Sequence, residues 1–389
     1  MSTTSPEIGK GYLRHDGRIG LRNHVVALST VALTDRVTER AVNHVPSALL
    51  LAPRWERGVR RNDASLQERA IHAIANHPNT GAILAVTHDR GAADALRSAL
   101  ADCGRPFEIV TLMGSRGYDA AIDAAARSLE RLSSQAQQTP RAPLCLADLT
   151  VALECGGSDA SSATCANPAI GRFVDKLITA GGTAIVSETA EFIGSEPVIL
   201  AQSKSPDTAQ AILTCLAAEE AMMRADGTDY RGVNPTSENI EAGLSTLVEK
   251  TMGAVCKIGT SKFSGCLAFA ENPVRPGLYF MDTPFFSPVS LSGMVLSGAQ
   301  VTLFAMGVYN PSGMPLAPTI KICGNPQTLR DWGAEIDVNV EGLIGGMVTL
   351  DMAAVAITDK LAALCAGSIT HAERRSEGQL ILPRTIPAL

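Results

Sequence analysis

Six consecutive residues, Glu154-Cys155-Gly156-Gly157-Ser158-Asp159, bring together two carboxylates, a thiol, a hydroxyl and two glycines. They follow the apolar run LCLADLTVAL and precede a helical pattern, which predicts a strand delivered into a Gly-rich turn. Open parallel sheets bind ligands at such carboxyl ends, where glycines let a substrate approach free backbone amides. The alternative is a tight connection whose polar residues only cap the next helix. A second acidic cluster, Ser187-Glu188-Thr189-Ala190-Glu191-Phe192-Ile193-Gly194-Ser195-Glu196, again follows a strand-like run. If both strands share a sheet, Glu154, Asp159, Glu188 and Glu191 meet at one edge, as acid/base chemistry or cation binding requires. Otherwise the glutamates form a solvated face.

Other candidates are scattered. Asn234-Pro235, Asn239, Glu249-Lys250, Asp282-Thr283-Pro284, Lys321 and Asp337 make a loose third group. Lys250 and Lys321 could pair with a substrate carboxylate or an enediolate, against the usual fate of a lysine as a surface solvator. His88-Asp89-Arg90-Gly91 has the form of an acid/base pair at a strand end, or of a short polar loop. Asn23 and His24 open the first strand.

The elements that must hold these groups alternate. Strand-like runs at 24–33, 47–52, 80–88 and 108–113 are separated by amphipathic helical patterns near 64–77, 91–103 and 116–134. Parallel strands need crossover connections, so this order implies a doubly wound parallel sheet in the N-terminal domain. The polar, Pro-containing stretch 133–143 reads as a linker and puts a boundary near 140. The domains are then 1–140 and 141–389, the second a larger α/β domain with helices near 168–180, 207–225 and 288–298, strands at 183–188 and 300–306, and an apolar helical segment over 341–366.

Composition excludes several classes. At 389 residues, 46% hydrophobic and 19% charged, the chain is too apolar to be disordered. Its formal charge of -6 offers no field for a nucleic-acid backbone. No signal-like segment and no run of roughly 18 apolar residues is present, so a cytoplasmic, membrane-free protein is expected. Nine scattered cysteines without a CxxC pair indicate neither a disulfide framework nor a zinc ribbon. No GxGxxG follows the first strand, so NAD is not expected.

Six segments resemble the altronate/galactarate dehydratase family, in that family's order: GYLRHDGRIGLRNHV (11–25), ALECGGSDASSATCANPAIGR (152–172), GGTAIVSETAEFIGSE (181–196), AGLSTLVEKTMGAVCKIGT (242–260), GLYFMDTPFFSPVSLSGMVLSGAQ (277–300) and PTIKICGN (318–325). The resemblance implies a lyase that eliminates water, or sulfite in the related sulfolactate sulfo-lyases, from a hydroxy acid to leave a 2-keto acid. It implies a divalent cation such as Mg2+, Mn2+ or Fe2+, and a large subunit that pairs with a separate SAF-domain small subunit. A small-molecule carboxylate substrate and a homo-oligomer are expected with it.

Departures from the family pattern are specific. Where members carry His-Gly-Cys-Gly-Gln after the second strand, this chain has Pro53-Arg54-Trp55-Glu56-Arg57-Gly58. Where they carry Gly-Cys-Glu after the third, it has Thr87-His88-Asp89-Arg90. Of three loop thiols that could jointly hold iron only Cys155 is present, so no iron–sulfur cluster is expected. Arg54, Arg57, Arg60, Arg61 and Arg90 instead suggest a substrate with a second anionic group. The expected catalytic set is Glu154, Asp159, Glu188, Glu191 and Lys250. The expected substrate contacts are Asn23, His24, Arg54, His88, Arg90, Cys155, Gly156, Gly157, Ser158, Asn239, Asp282 and Lys321. A relative diverged to metal-free hydrolase, isomerase or racemase chemistry, and a non-catalytic acid-binding subunit, are the competing readings.

Overall fold

The structure, a computed structural model, describes residues 6–225, 227–228, 230 and 234–385. The chain divides into two compact units. The N-terminal unit holds Lys10–Pro143, Pro315–Ala317 and residues 379–385; the C-terminal unit holds residues 6–9, Leu144–Met314 and Pro318–Gly378. Among the described residues no helix is long and apolar enough to cross a membrane.

Seven strands belong to the first part of the chain: β1 (Glu7–Leu13), β2 (Ile19–Gly20), β3 (His24–Ser29), β4 (Leu49–Leu51), β5 (Thr80–Thr87), β6 (Phe107–Thr111) and β7 (Arg141–Cys145). Four of them form a parallel sheet in the order β4-β3-β5-β6. Every residue of β5 is buried, because helices cover both faces of the sheet. Ala82, Leu84 and Val86 pack with Val37 and Ala41 of the helix Asp35–His44 and with Ala121, Ala125 and Leu129 of the helix Tyr118–Ala136. Ile83 and Ala85 face the other way, onto Ala75, Leu96 and Leu100. This is the doubly wound arrangement that the alternation predicts. The stretch 133–143 differs from the expected linker. It contains the last turn of the helix Tyr118–Ala136, anchored by buried Leu132 and Ala136, and the start of β7, which joins a three-stranded sheet in the order β2-β1-β7.

The C-terminal unit is built on β8 (Thr150–Gly156), β9 (Thr183–Val186), β10 (Phe263–Leu267), β11 (Gly277–Met281), β12 (Val301–Met306), β13 (Thr319–Cys323) and β14 (Val338–Asn339). All pair in parallel, in the order β10-β11-β9-β8-β12-β13-β14. β9, β11, β12 and β13 are buried throughout, so charged side chains such as Glu154 in β8 and Lys321 in β13 stand out against apolar neighbours. The chain leaves β8 for β9 on one side and later fills β12 on the other. The strand order therefore reverses at β8, and the crevice beyond its carboxyl end is the topological switch point of the sheet. The segment 341–366 is α-helical only from Leu350 to Cys365, where Thr349 caps the first turn; a short 3-10 helix, Glu341–Leu343, and a turn holding Gly345 and Gly346 precede it.

Candidate active site

β8 and β9 are neighbours, with Leu153 opposite Val186, so the residues that follow them share one edge. Glu154 is the last charged residue of β8 and is 1% exposed. Glu188 lies just past β9 in the left-handed region, with φ 67°. A non-glycine residue held there stores backbone strain, which concentrates at functional sites. Its N–H donates to Thr283 Oγ1 at 2.9 Å, and Ser287 Oγ donates to its Oε1 at 3.4 Å. Glu191 sits in the following turn, fully buried.

The three carboxyls interact, and one lysine lies among them. Lys257, 1% exposed, forms an ion pair with Glu191. Burial pulls its ammonium down, but Glu191, Cys155 and Glu154 outweigh that and hold it above the ordinary lysine range. Glu154 is pushed up to about 7, first by burial; Lys257 and the hydroxyl of Ser290, which donates to Oε2, oppose the shift, and Glu191 adds to it. Glu188 is raised well above the usual carboxyl range by burial and by the charges of Glu154 and Glu191. Among the described residues Glu154 Oε1 has no hydrogen-bond partner, although its carboxyl lies close enough to Glu188 for each to shift the other. Burial and the repulsion between neighbouring carboxylates both favour the protonated form, so the two groups titrate as a pair.

This has a consequence for stability. In the unfolded chain Glu154 titrates near 4.5, so between there and about 7 the native state binds the extra proton. Stability from this group is therefore lost as pH rises through that window. The melting temperature of Glu154→Gln is expected to fall less than that of the wild type between about pH 5 and pH 8. A wild-type protein that gained stability relative to the variant over that range would contradict the shift.

Lys250 approaches from the helix Leu247–Val255. Its ammonium donates to Asn234 Oδ1 at 3.0 Å and Asn239 Oδ1 at 3.3 Å, and it lies 4.8 Å from the Phe285 ring centroid. Asn239 Nδ2 reaches back to the Ser158 carbonyl at 3.0 Å, tying Lys250 to the Gly-rich turn. Cys155 is buried beside the cluster; its thiol contacts Ser158 Oγ and Asn167 Nδ2, each at 3.4 Å, and burial, with Glu191, pushes it up.

The hydrogen bonds of Asp159 run to its own turn and to Asn325 rather than to the other three carboxyls. Its Oδ1 accepts from Ser162 N and Ser161 Oγ, each at 2.7 Å, and its Oδ2 accepts from Asn325, so it closes the turn that starts the next helical segment. Asp159→Ala is expected to lower stability by about 0.5–2 kcal/mol, the scale of a lost cap, while leaving kcat nearly unchanged. Denaturant titration and steady-state kinetics on the same preparation check this; a collapse of kcat with unchanged stability would contradict it. The turn glycines have packing reasons. A Cβ on Gly156 would meet Asn310 Nδ2 at 2.6 Å, and one on Gly157, whose φ is +65°, would meet the Val308 carbonyl at 2.1 Å.

Other expected contacts are engaged elsewhere. Lys321 pairs with Glu377 and donates to Tyr309 OH at 3.1 Å. Asp282 accepts from Thr189 Oγ1 at 2.6 Å. Asn23, His24, Arg54, His88 and Arg90 lie in the N-terminal unit. There Asn23 bridges Arg14 and the Ala136 carbonyl, at 2.8 and 2.7 Å. His24 begins β3 and His88 follows β5, with Nδ1 3.6 Å from Asp89. Arg54 and Arg90 are exposed, Arg90 within 4.0 Å of Asp94. Sequence reasoning missed Lys257 and Ser290. Both had a signal: each is a polar residue inside an apolar run, Val255-Cys256-Lys257-Ile258 and Val289-Ser290-Leu291.

The donor set does not fit a divalent cation as it stands. Among the described residues no three His, Cys, Asp or Glu side chains are grouped to hold a metal, and Glu191 is already neutralised by Lys257.

An all-parallel α/β unit with coupled carboxyls and a buried lysine at its switch point defines a protein equipped to move protons. Its relatives say which. Residues 146–387 match the family described as D-galactarate/altronate dehydratase, C-terminal, and residues 11–137 match D-galactarate dehydratase/altronate hydrolase, second domain. The chain is 30% identical over 376 residues to the (2R)-sulfolactate sulfo-lyase subunit beta of Chromohalobacter salexigens, covering 96% of both. It is 28% identical to the altronate dehydratase and 26% to the galactarate dehydratase (L-threo-forming) of Escherichia coli, covering 86% and 88% of this chain and 69% of each relative. The chain belongs to the D-galactarate/altronate dehydratase family and is a lyase of that type.

Proposed function

We propose that the protein catalyses β-elimination from a 3-substituted 2-hydroxy acid, with Glu154 and Glu188 as the acid/base pair. The observation that carries this reading is the pair of buried, mutually interacting carboxyls at the ends of adjacent strands, of which Glu154 is pushed up to about 7 by burial. A proton alpha to a carboxylate is barely acidic, and a base tuned to neutral pH removes it best. Ionised Glu154 takes the C2 proton, the C–H electron pair becomes the C2=C3 bond, and the C3 substituent leaves with its bonding pair. If that substituent is hydroxide, the protonated Glu188 supplies the proton that lets it leave as water. Sulfite leaves as an anion and needs none. The resulting enol takes a proton at C3 and loses one from its hydroxyl, giving the 2-keto acid. Lys257 and Lys250 supply positive charge where the substrate carboxylate becomes an enediolate.

The match over nearly the whole length of a sulfolactate sulfo-lyase β subunit favours a short acid with a second anion, such as (2R)-sulfolactate, and a separate small partner subunit. The reaction class is tested by incubating the purified protein with (2R)-sulfolactate, altronate and galactarate and assaying 2-keto acid. Release from at least one is expected, and release from none, in a folded preparation, would overturn the reading.

A further inference from the structure

Cys215, on the helix Pro206–Met222, and Cys266, on β10, bring their sulfurs to 3.8 Å, in van der Waals contact. Both are free thiols and partly exposed, whereas Cys103, Cys155, Cys165, Cys323 and Cys365 are buried. β10 is the edge strand of its sheet, paired along its length with β11 and bridged on the other side at Phe263, by Ser203, while Cys266 lies beyond that bridge. The sulfurs need to close to about 2.05 Å to bond, and an edge strand under a single helix is an element that can yield by that amount. From these contacts we propose that Cys215 and Cys266 are an oxidative modification site, which a peroxide-class oxidant closes to a disulfide and a thiol reductant reopens, slowing elimination while it is closed.

The chemistry balances within the pair and the oxidant. The Cys215 thiolate attacks one peroxide oxygen, the O–O bond breaks, and hydroxide leaves, giving a sulfenic acid. The Cys266 sulfur then attacks that of Cys215, the S–O bond breaks, and water leaves with the proton from Cys266. Two thiols and one peroxide give one disulfide and two waters; each sulfur loses one electron. Either thiol could donate across the contact; the proposal gives that role to Cys266, which lowers Cys215, raises Cys266 and makes Cys215 the first to attack. Solvent access completes the requirements of a thiol pair that responds to oxidants.

A path runs from this pair to Glu188. Asp282, whose charge acts on both thiols, is placed against β10 by its N–H to the Leu267 carbonyl at 2.9 Å. Its carboxylate accepts from Thr189 Oγ1, and the next residue, Thr283, receives the Glu188 N–H. Movement of β10 therefore reaches the strained residue of the acid pair through two hydrogen bonds. The consequence for turnover rests on the elimination reading; the bond itself does not.

The test treats the purified protein with hydrogen peroxide, digests it without reduction, and follows cross-linked peptides by mass alongside turnover. The expected result is one cross-link, Cys215 to Cys266, with the loss of two hydrogens, reversed by dithiothreitol together with the fall in turnover. Cys266→Ser should arrest the reaction at a Cys215 sulfenic acid trapped by dimedone, and Cys215→Ser should give no cross-link. Oxidation that leaves these two thiols unlinked, or links Cys215 to another cysteine, would overturn the site. A complete cross-link with undiminished turnover would overturn the path through Asp282. A reduced enzyme with no turnover on any acid tells against the elimination reading instead, and the mass readout still decides the site.

Discussion

Glu154→Gln is expected to lower kcat by about 100- to 10,000-fold, the range that a positioned general base contributes. Glutamine keeps the size of the side chain and an acceptor for the Ser290 hydroxyl, so the fold has no reason to fail. What it removes is the group that ionises near 7. KM should change little if Glu154 acts on the C2 proton and not on the substrate carboxylate. Steady-state kinetics check this; a variant within a few-fold of wild type would remove Glu154 from the chemistry. The same substitution separates the elimination reading from a structural role, because a purely structural acid pair would show its loss in the melting temperature and not in kcat.

The second large effect concerns Lys257. Lys257→Met leaves the carboxylate of Glu191 buried without a cation, and removing one partner of a buried pair costs about 3–5 kcal/mol. The urea midpoint should fall accordingly. The double variant Lys257→Met/Glu191→Leu should recover most of that stability, since apolar side chains of similar volume often replace a buried pair without penalty. It should not recover turnover, because the positive charge beside Glu154 is gone. A single variant as stable as wild type would show that the pair contributes nothing to the fold. A double variant with full activity would show that the pair only holds the turn together.

The alternation of apolar runs and amphipathic helices made the N-terminal sheet legible, because a buried parallel strand such as TGAILAVT must be apolar on both faces. β10, β11 and β13 were not legible. Their runs are short, and Ser264, Gly265 and Lys321 interrupt the apolar pattern in two of them. The acidic motifs pointed to Glu154, Glu188 and Glu191 for a sound reason: both follow adjacent strands of one sheet. Asp159 looked equivalent on spacing. Only the hydrogen bonds of Ser161, Ser162 and Asn325 distinguish a capping carboxylate from a reacting one, and a linear pattern does not carry them. Lys321 shows the same limit. Its isolation within an apolar strand signals a buried charge, but its partner Glu377 lies 56 residues away.

The central claim is that the Glu154–Glu188 pair sets the proton transfer, and the pH dependence of kcat/KM for 2-keto acid release tests it most directly. The wild-type profile should fall on the acid side with an apparent pKa near 7, where Glu154 gains its proton. Ser290 donates a hydrogen bond that favours the ionised carboxyl, so removing it in Ser290→Ala should move that limb to higher pH. A wild-type profile flat from about pH 6 to pH 8, or a limb that Ser290→Ala leaves in place, would contradict the account.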